Sequence, residues 1–185
     1  MELEQTLIEN TLKGDMDSFS SLVLAYKDKI YAFLLKMTLS KEDAEELTQD
    51  VFISVYKNLY RYNKNWGFST WIYKIASNSF KNYYKKIKRS RVTQNILDIE
   101  DLSCNFDDCP EIILESREDY LKVVELINKL NPEQKVALVL KHMKGFSYKE
   151  IGKILDISPE AAQMKVQRAK ESICKQYKKL EERSY

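Results

Sequence analysis

An all-α protein of two helical domains joined by an extended acidic linker is what this sequence predicts, and three observations predict it. The 185 residues include only 4 Gly and 3 Pro, too few turn-forming residues for a many-stranded β fold. Apolar residues recur at three- and four-residue steps through most of the chain, the period of a helix buried on one side. The charge is divided into blocks although its total is only +2.

Residues 1–50 hold 11 acids and 5 bases, whereas residues 51–97 hold 10 bases and no acid. Seven acids and no base follow between Val92 and Ser116, and residues 117–185 return to 15 bases against 10 acids. Two basic modules, separated by an acidic connector, suit two contacts with polyanions.

Several function classes are disfavoured. No apolar run approaches the ~20 residues that span a bilayer, and Met1-Glu2-Leu3-Glu4 lacks the basic start of a signal peptide, so a cytoplasmic protein is expected. An odd number of cysteines, 3 in all, does not make a disulfide framework, and free thiols in a reducing compartment are expected. Cys104 and Cys109, with His142 far along the chain, do not supply the ligand set of a zinc site. No glycine loop for phosphate is present and no nucleophile sits beside a base. Neither an enzyme, a metal site nor a cofactor is expected.

In chain order, Phe19, Leu22, Val23, Tyr26, Ile30, Phe33, Leu34 and Met37 mark a first amphipathic helix. Ser40 is an N-cap for a second, which runs through Ala44, Leu47, Val51 and Val55 towards Leu59. Tyr62 to Trp66 lacks the period and ends at Gly67, so it is a loop. A third helix begins around Phe68 or Ser69 and continues to about Lys88. The period lapses between Arg91 and Pro110, where an extended or weakly ordered linker is expected. Helix returns at Ile112 to Leu130, Asn131 breaks it, and Pro132 opens the next at its first position. The domains are accordingly 1–91 and 116–185, with a linker at 92–115.

The third helix carries the first informative pattern. At ~100° per residue, Asn78, Lys81, Lys85 and Lys88 fall on one stripe with Lys74. Asn82 and Trp71 flank it, while Ile72, Ile75, Ala76 and Tyr83 gather on the opposite side. The acid-free stretch holds 11 aromatics: Phe52, Tyr56, Tyr60, Tyr62, Trp66, Phe68, Trp71, Tyr73, Phe80, Tyr83 and Tyr84. Cations that track phosphates, aromatics that stack on bases and amides that read base edges suit single-stranded nucleic acid.

The second pattern lies near the C-terminus. Ser147 precedes a short helix ending near Leu155, Asp156-Ile157 turn the chain, and Ser158-Pro159 open another helix with an N-cap and a first-position proline. Ile151, Leu155, Ile157 and Ala162 make a small core, and Gly152 lets the helices approach. That spacing is a helix-turn-helix, whose second helix enters the DNA major groove. Ala162, Val166, Ala169 and Ile173 face inward on it. Gln163, Met164, Lys165, Gln167 and Arg168 face outward, where Arg reads guanine and Gln reads adenine.

These residues carry a resemblance. Leu130-Asn131-Pro132-Glu133-Gln134, Gly145-Phe146-Ser147-Tyr148-Lys149-Glu150-Ile151, Ile157-Ser158 and Arg168-Ala169-Lys170 resemble region 4 of the extracytoplasmic-function (ECF, group 4) sigma factors of the sigma-70 family. Asp43-Ala44-Glu45-Glu46-Leu47-Thr48-Gln49-Asp50-Val51-Phe52 is similar to their region 2.2. Phe68-Ser69-Thr70-Trp71-Ile72-Tyr73-Lys74-Ile75-Ala76-Ser77-Asn78 is similar to regions 2.3 and 2.4.

The resemblance implies an alternative sigma factor for stress-response transcription. It would bind core RNA polymerase (β and β′ subunits), recognise −35 and −10 promoter elements and help open the promoter. Glu46, Gln49 and Asp50 would dock on the β′ clamp helices. The loop with Tyr62, Asn63, Lys64 and Trp66 would receive a base flipped from the −10 element, beside Trp71, Lys74, Asn78, Lys81, Asn82 and Lys85. Flipping costs a few kcal/mol, and stacking on an aromatic returns ~1–3 kcal/mol per base.

Ser158, Gln163, Met164, Lys165, Gln167 and Arg168 would meet the −35 element, Lys165 as a phosphate contact. The linker would thread towards the polymerase active site and RNA exit channel. An anti-sigma factor, often membrane-bound in this family, is a further implied partner. The chain departs from the pattern at Asp156, where the turn commonly has Gly, at Ala161 and Met164, which replace small hydroxyl residues, and at Lys64, where many relatives have Gly. Two other readings compete: a duplex-binding regulator whose N-terminal helices dimerise or sense, and an adaptor that uses no DNA. The single-strand-suited stripe disfavours the first and the helix-turn-helix disfavours the second.

Overall fold

The computed structural model describes residues 2–90 and 117–182. The described residues form α-helices with no strand, in two compact units. The acidic linker expected at 92–115 lies outside the described residues.

The N-terminal unit contains α1 (Glu2–Leu12), α2 (Met16–Thr38), α3 (Lys41–Asn58), a single 3-10 turn (Leu59–Arg61) and α4 (Phe68–Ser90). Asp15 caps α2 by accepting from the amides of Asp17 and Ser18, and the Ser18 hydroxyl holds the Asp15 carboxyl below the ordinary carboxylate range. Ser40 caps α3 through the Asp43 amide. Between these helices Leu39 takes a left-handed φ of 58° and is itself buried, which lets α2 and α3 fold against each other.

α2 packs on α1, α3 and α4. Leu22, Tyr26, Ile30, Phe33, Leu34 and Met37 fill the interface, against Ala44, Leu47, Val51 and Val55 of α3. Each fully buried large side chain of this kind contributes about 1.5–3 kcal/mol. Phe19 and Val23, expected in the core, stand only half-buried at its edge. α1 was not legible as a helix: Leu3 and Leu12 are exposed, and only Ile8 and Thr11 reach the core.

The C-terminal unit contains α5 (Arg117–Asn128), α6 (Pro132–Lys144), α7 (Tyr148–Leu155) and α8 (Pro159–Glu181), with α8 packed on the other three. Asn131 caps α6 through the Gln134 amide, with Pro132 in the first turn. Ser147 and Glu150 form a reciprocal capping box on α7, the arrangement that satisfies two orphan amides at once. Val136, Leu138, Leu140, Ile151, Ile154, Val166, Ile173 and Tyr177 are buried together.

Lys135 is buried in this unit with its Nζ donating to Asn128 Oδ1 at 2.6 Å. Burial pushes its ammonium pKa down to about 7. Cys104 and Cys109 lie outside the described residues. Among the described residues no helix is long and apolar enough to cross a membrane.

Candidate nucleic-acid interfaces

α4 has the strongest division of polar from apolar faces in its unit. Ile72, Tyr73, Ala76, Ser77 and Phe80 are buried, while Asn78, Asn82, Lys85 and Lys86 are exposed and Lys74 and Lys81 half-exposed. The buried face is centred closer to Tyr73 and Phe80 than the sequence suggested, and Ile75 and Tyr83 sit at its border. Lys88 has no described side chain. Tyr83 O–H donates to Asp43 Oδ2 at 2.7 Å, tying the far end of α4 to the start of α3.

The aromatics divide into two groups. Phe52, Phe68, Tyr73 and Phe80 belong to the core and are not available for stacking on bases. Tyr62, Trp66 and Trp71 remain partly exposed around the loop. Tyr62 meets Phe68 edge-to-face with ring centres 5.6 Å apart and Trp71 at a tilt with centres 5.5 Å apart, and its O–H donates to the Trp66 carbonyl at 2.5 Å. Burial raises the Tyr62 phenol pKa, so it stays a donor. Lys74 Nζ lies 5.4 Å from the Trp66 ring centre, a cation–π contact between the α4 stripe and the loop. Asn63 Oδ1 accepts from the Asn65 amide at 2.9 Å, a side-chain turn that fixes the loop tip. Lys64 Nζ pairs with Glu9 Oε1 at 2.5 Å.

The loop is therefore preformed: an aromatic platform with a cation over it and two exposed amides on the neighbouring helix. Glu9 was absent from the sequence reading, because nothing in a linear charge pattern places residue 9 on a loop at residue 64. On α3, Glu46, Gln49 and Asp50 are all exposed, on the face opposite Leu47, Thr48, Val51 and Phe52.

The C-terminal site is a helix-turn-helix built on Gly152. A Cβ there would stand 2.7 Å from the Ile157 carbonyl oxygen and 3.3 Å from the Pro159 nitrogen. Gly152 thus admits the backbone of the turn and of the first residue of α8. Asp156 takes the left-handed position with φ 58°, which an Asp tolerates. An open recess of about 530 Å³ at the turn is lined by Lys149, Gly152, Lys153, Asp156, Ile157, Ser158 and Pro159.

Along α8, Ala162, Val166, Ala169 and Ile173 are buried, and Gln163, Met164, Gln167 and Arg168 are exposed. Ser158 Oγ is engaged in the cap, accepting from the Ala161 amide at 3.1 Å. Lys165 Nζ pairs with Glu133 Oε2 at 2.6 Å, and Gln167 Nε2 donates to Glu171 Oε1 at 3.1 Å. No group of three His, Cys, Asp or Glu able to hold a metal occurs among the described residues.

A cation-and-aromatic face in one unit and a helix-turn-helix in the other are the features of a DNA-binding protein. Residues 22–91 match the family model of Sigma-70 region 2, and residues 120–173 match that of Sigma-70 region 4. The chain is 32% identical to the ECF RNA polymerase sigma-E factor of Haemophilus influenzae, over 92% of this chain and 93% of that one. It is also 32% identical to the ECF RNA polymerase sigma factor SigW of Bacillus subtilis, over 94% and 96%.

Among solved structures, CnrH in complex with the cytosolic domain of CnrY shares the fold with a TM-score of 0.67 at 17% identity, covering 92% and 94% of the two chains. The sigma factor RpoE of Bartonella quintana, in complex with the anti-sigma factor NepR, gives 0.62 at 20% identity over 84% and 93%. The chain belongs to the ECF sigma factors of RNA polymerase. It is a transcription initiation factor, not an enzyme, and it works with core RNA polymerase on promoter DNA.

Proposed function

We propose that the unit spanning 1–91 reads the −10 element as an opened single strand and that the unit spanning 116–185 reads the −35 element as duplex, with 92–115 connecting them. The observation that carries this reading is that one chain holds two differently built cationic faces. α4 and its loop offer stacking surfaces, whereas α8 offers a helix sized for the major groove.

In the first unit, Tyr62, Asn63, Lys64 and Trp66 receive a flipped base and Trp71 flanks it. Lys74, Lys81 and Lys85 hold the phosphates of the opened strand, and Asn78 and Asn82 contact bases. In the second unit, Gln163, Gln167 and Arg168 read base edges and Met164 offers an apolar contact. Ser158 and Lys165 meet the backbone. Glu46, Gln49 and Asp50 form an acidic face for the β′ subunit of core polymerase, since exposed acids at that spacing suit a partner rich in Arg. The factor acts in the cytoplasm, where polymerase is. An anti-sigma factor, membrane-bound in one version of this reading, is its regulatory partner, as NepR is that of the Bartonella RpoE.

Run-off transcription from a promoter pool, with core polymerase alone and with the full chain added, tests the whole reading. New transcripts sharing one start-proximal and one upstream motif are the expected result. Duplex binding without new transcripts and without core binding would transfer the protein to the duplex-regulator class.

A further inference from the structure

The stretch from Val51 to Leu97 contains no acid, so a carboxylate reaches the loop only if another element brings it. α1 does this. Glu9 Oε1 stands 2.5 Å from Lys64 Nζ, across 55 residues of sequence. Gln5 Nε2 donates to the same oxygen at 3.3 Å.

The helix that carries Glu9 is anchored independently of this pair. Ile8 and Thr11 are buried against the bundle, and the Tyr26 O–H donates to the Glu4 carboxylate. The two partners themselves keep solvent access, with side-chain exposures of 62% for Lys64 and 45% for Glu9. A phosphate approaching the loop therefore reaches this pair, and meets a carboxylate already on the lysine.

We propose that Glu9 is a charge-cancelling residue of the loop, which removes Lys64 from the sequence-independent hold on the opened strand. The inference rests on the reading of the loop as the −10 strand site. Its physics is simple. A lysine that neutralises a phosphate releases counterion and strengthens binding to every strand alike. With Glu9 in place, a phosphate must displace one anion from Lys64 and then sit beside it. The gain at that point falls towards zero, and base contacts at Tyr62, Trp66, Asn78 and Asn82 carry a larger share of the hold. A small non-specific term matters because every other exposed strand competes for the same face.

The test is a salt titration of single-strand binding by holoenzyme reconstituted from core polymerase and the full chain. The probes are an oligonucleotide carrying the start-proximal motif found by run-off mapping and a scrambled version of it. Glu9→Gln should tighten both probes by the same factor, on the order of fivefold at low salt, and steepen the log–log salt slope by about 0.7. The ratio between the probes should stay unchanged. Adding Lys64→Gln to that variant should return the slope to its starting value. Exposed ion pairs contribute little to stability, so the melting behaviour of Glu9→Gln should match that of the unaltered chain.

Unchanged slope and affinity in Glu9→Gln overturn the proposal, and so does selective weakening of the motif-bearing probe, which would make Glu9 a positioning residue instead. Lys81→Gln on the α4 face separates this failure from a deeper one. If Lys81→Gln flattens the slope while Glu9→Gln leaves it alone, only the Glu9 proposal falls. If neither changes strand binding, the −10 reading falls and takes the proposal with it.

Discussion

α4 and α8 are each 23 residues long, both present cations outward, and they handle those cations in opposite ways. α4 contains no acid along its whole length, whereas α8 contains Glu160, Glu171 and Glu181. Two of the outward polar groups of α8 are bound to acids, Lys165 to Glu133 and Gln167 to Glu171. Glu9, the acid paired with Lys64 of the loop before α4, comes from another helix.

The difference suits the two targets proposed for these faces. An opened strand is flexible, so it is held by charge and by stacking, neither of which demands a rigid donor pattern. A duplex presents fixed base edges, and side chains held in defined positions distinguish them. Exposed aromatics accompany the α4 face and none occurs on the outward face of α8, in keeping with that division.

The largest effect that separates the two units is expected from Gly152→Ala. Its Cβ would meet the Ile157 carbonyl at 2.7 Å, and backbone on both sides leaves little room to relax, so a loss of about 1–3 kcal/mol is expected for the C-terminal unit. Hydrogen exchange on the full chain should report this in the amides of α7 and α8 and leave those of α2 unchanged. Equal loss in both units would mean that they do not unfold separately.

Trp66→Ala comes next and acts on binding rather than folding. Removing the ring that Lys74 covers should weaken single-strand binding by about 1–3 kcal/mol, the usual value of one stacked base. Duplex binding through the −35 element should be untouched. A loss shared by both DNA forms would argue against two independent sites.

The comparison also predicts a pH response confined to one unit. Burial holds the folded pKa of Lys135 at about 7, below the 10.5 of an ordinary lysine, because the buried site disfavours the ammonium. Between those values the unfolded chain binds more protons than the folded one, so stability of the C-terminal unit should rise with pH across that window. Denaturation monitored by exchange in α6 at pH 7 and pH 9.5 checks it. Lys135→Met should remove the dependence, and the N-terminal unit should show none from this source.

Much of this was legible in the sequence because local chemistry determined it. Ser40, Asn131, Ser147 and Ser158 all cap the helices they precede, as their short oxygens should. The inward face of α8 was readable from periodicity alone, since four small or branched residues at helical spacing have one place to go.

What the sequence hid was tertiary. α1 has too few buried side chains to show a period, and its role depends on Tyr26 and Lys64, which lie in other elements. The pairing of Lys165 with Glu133 spans 32 residues, and the sorting of aromatics into core and loop depends on which face of the bundle each one meets. Nothing in the local sequence marks Lys135 as buried, and only packing shows it to be so.

The smallest expected effect gives the most direct comparison of the two faces, cation for cation. Lys81 lies on a helix without acids, so Lys81→Gln should remove nearly a full phosphate contact and flatten the single-strand salt slope by about 0.7. Lys165 is held by Glu133 at 2.6 Å with only 28% of its side chain exposed. A duplex phosphate must share it with that carboxylate, so Lys165→Gln should flatten the duplex slope by clearly less than the ~0.9 of an unshared contact. Glu133→Gln should then steepen the duplex slope, because it frees the same lysine. A full-sized effect from Lys165→Gln would mean that the ion pair opens on DNA without opposition. In that case the acids on the C-terminal face would be simple solvated partners, and the contrast between the two helices would rest on aromatics alone.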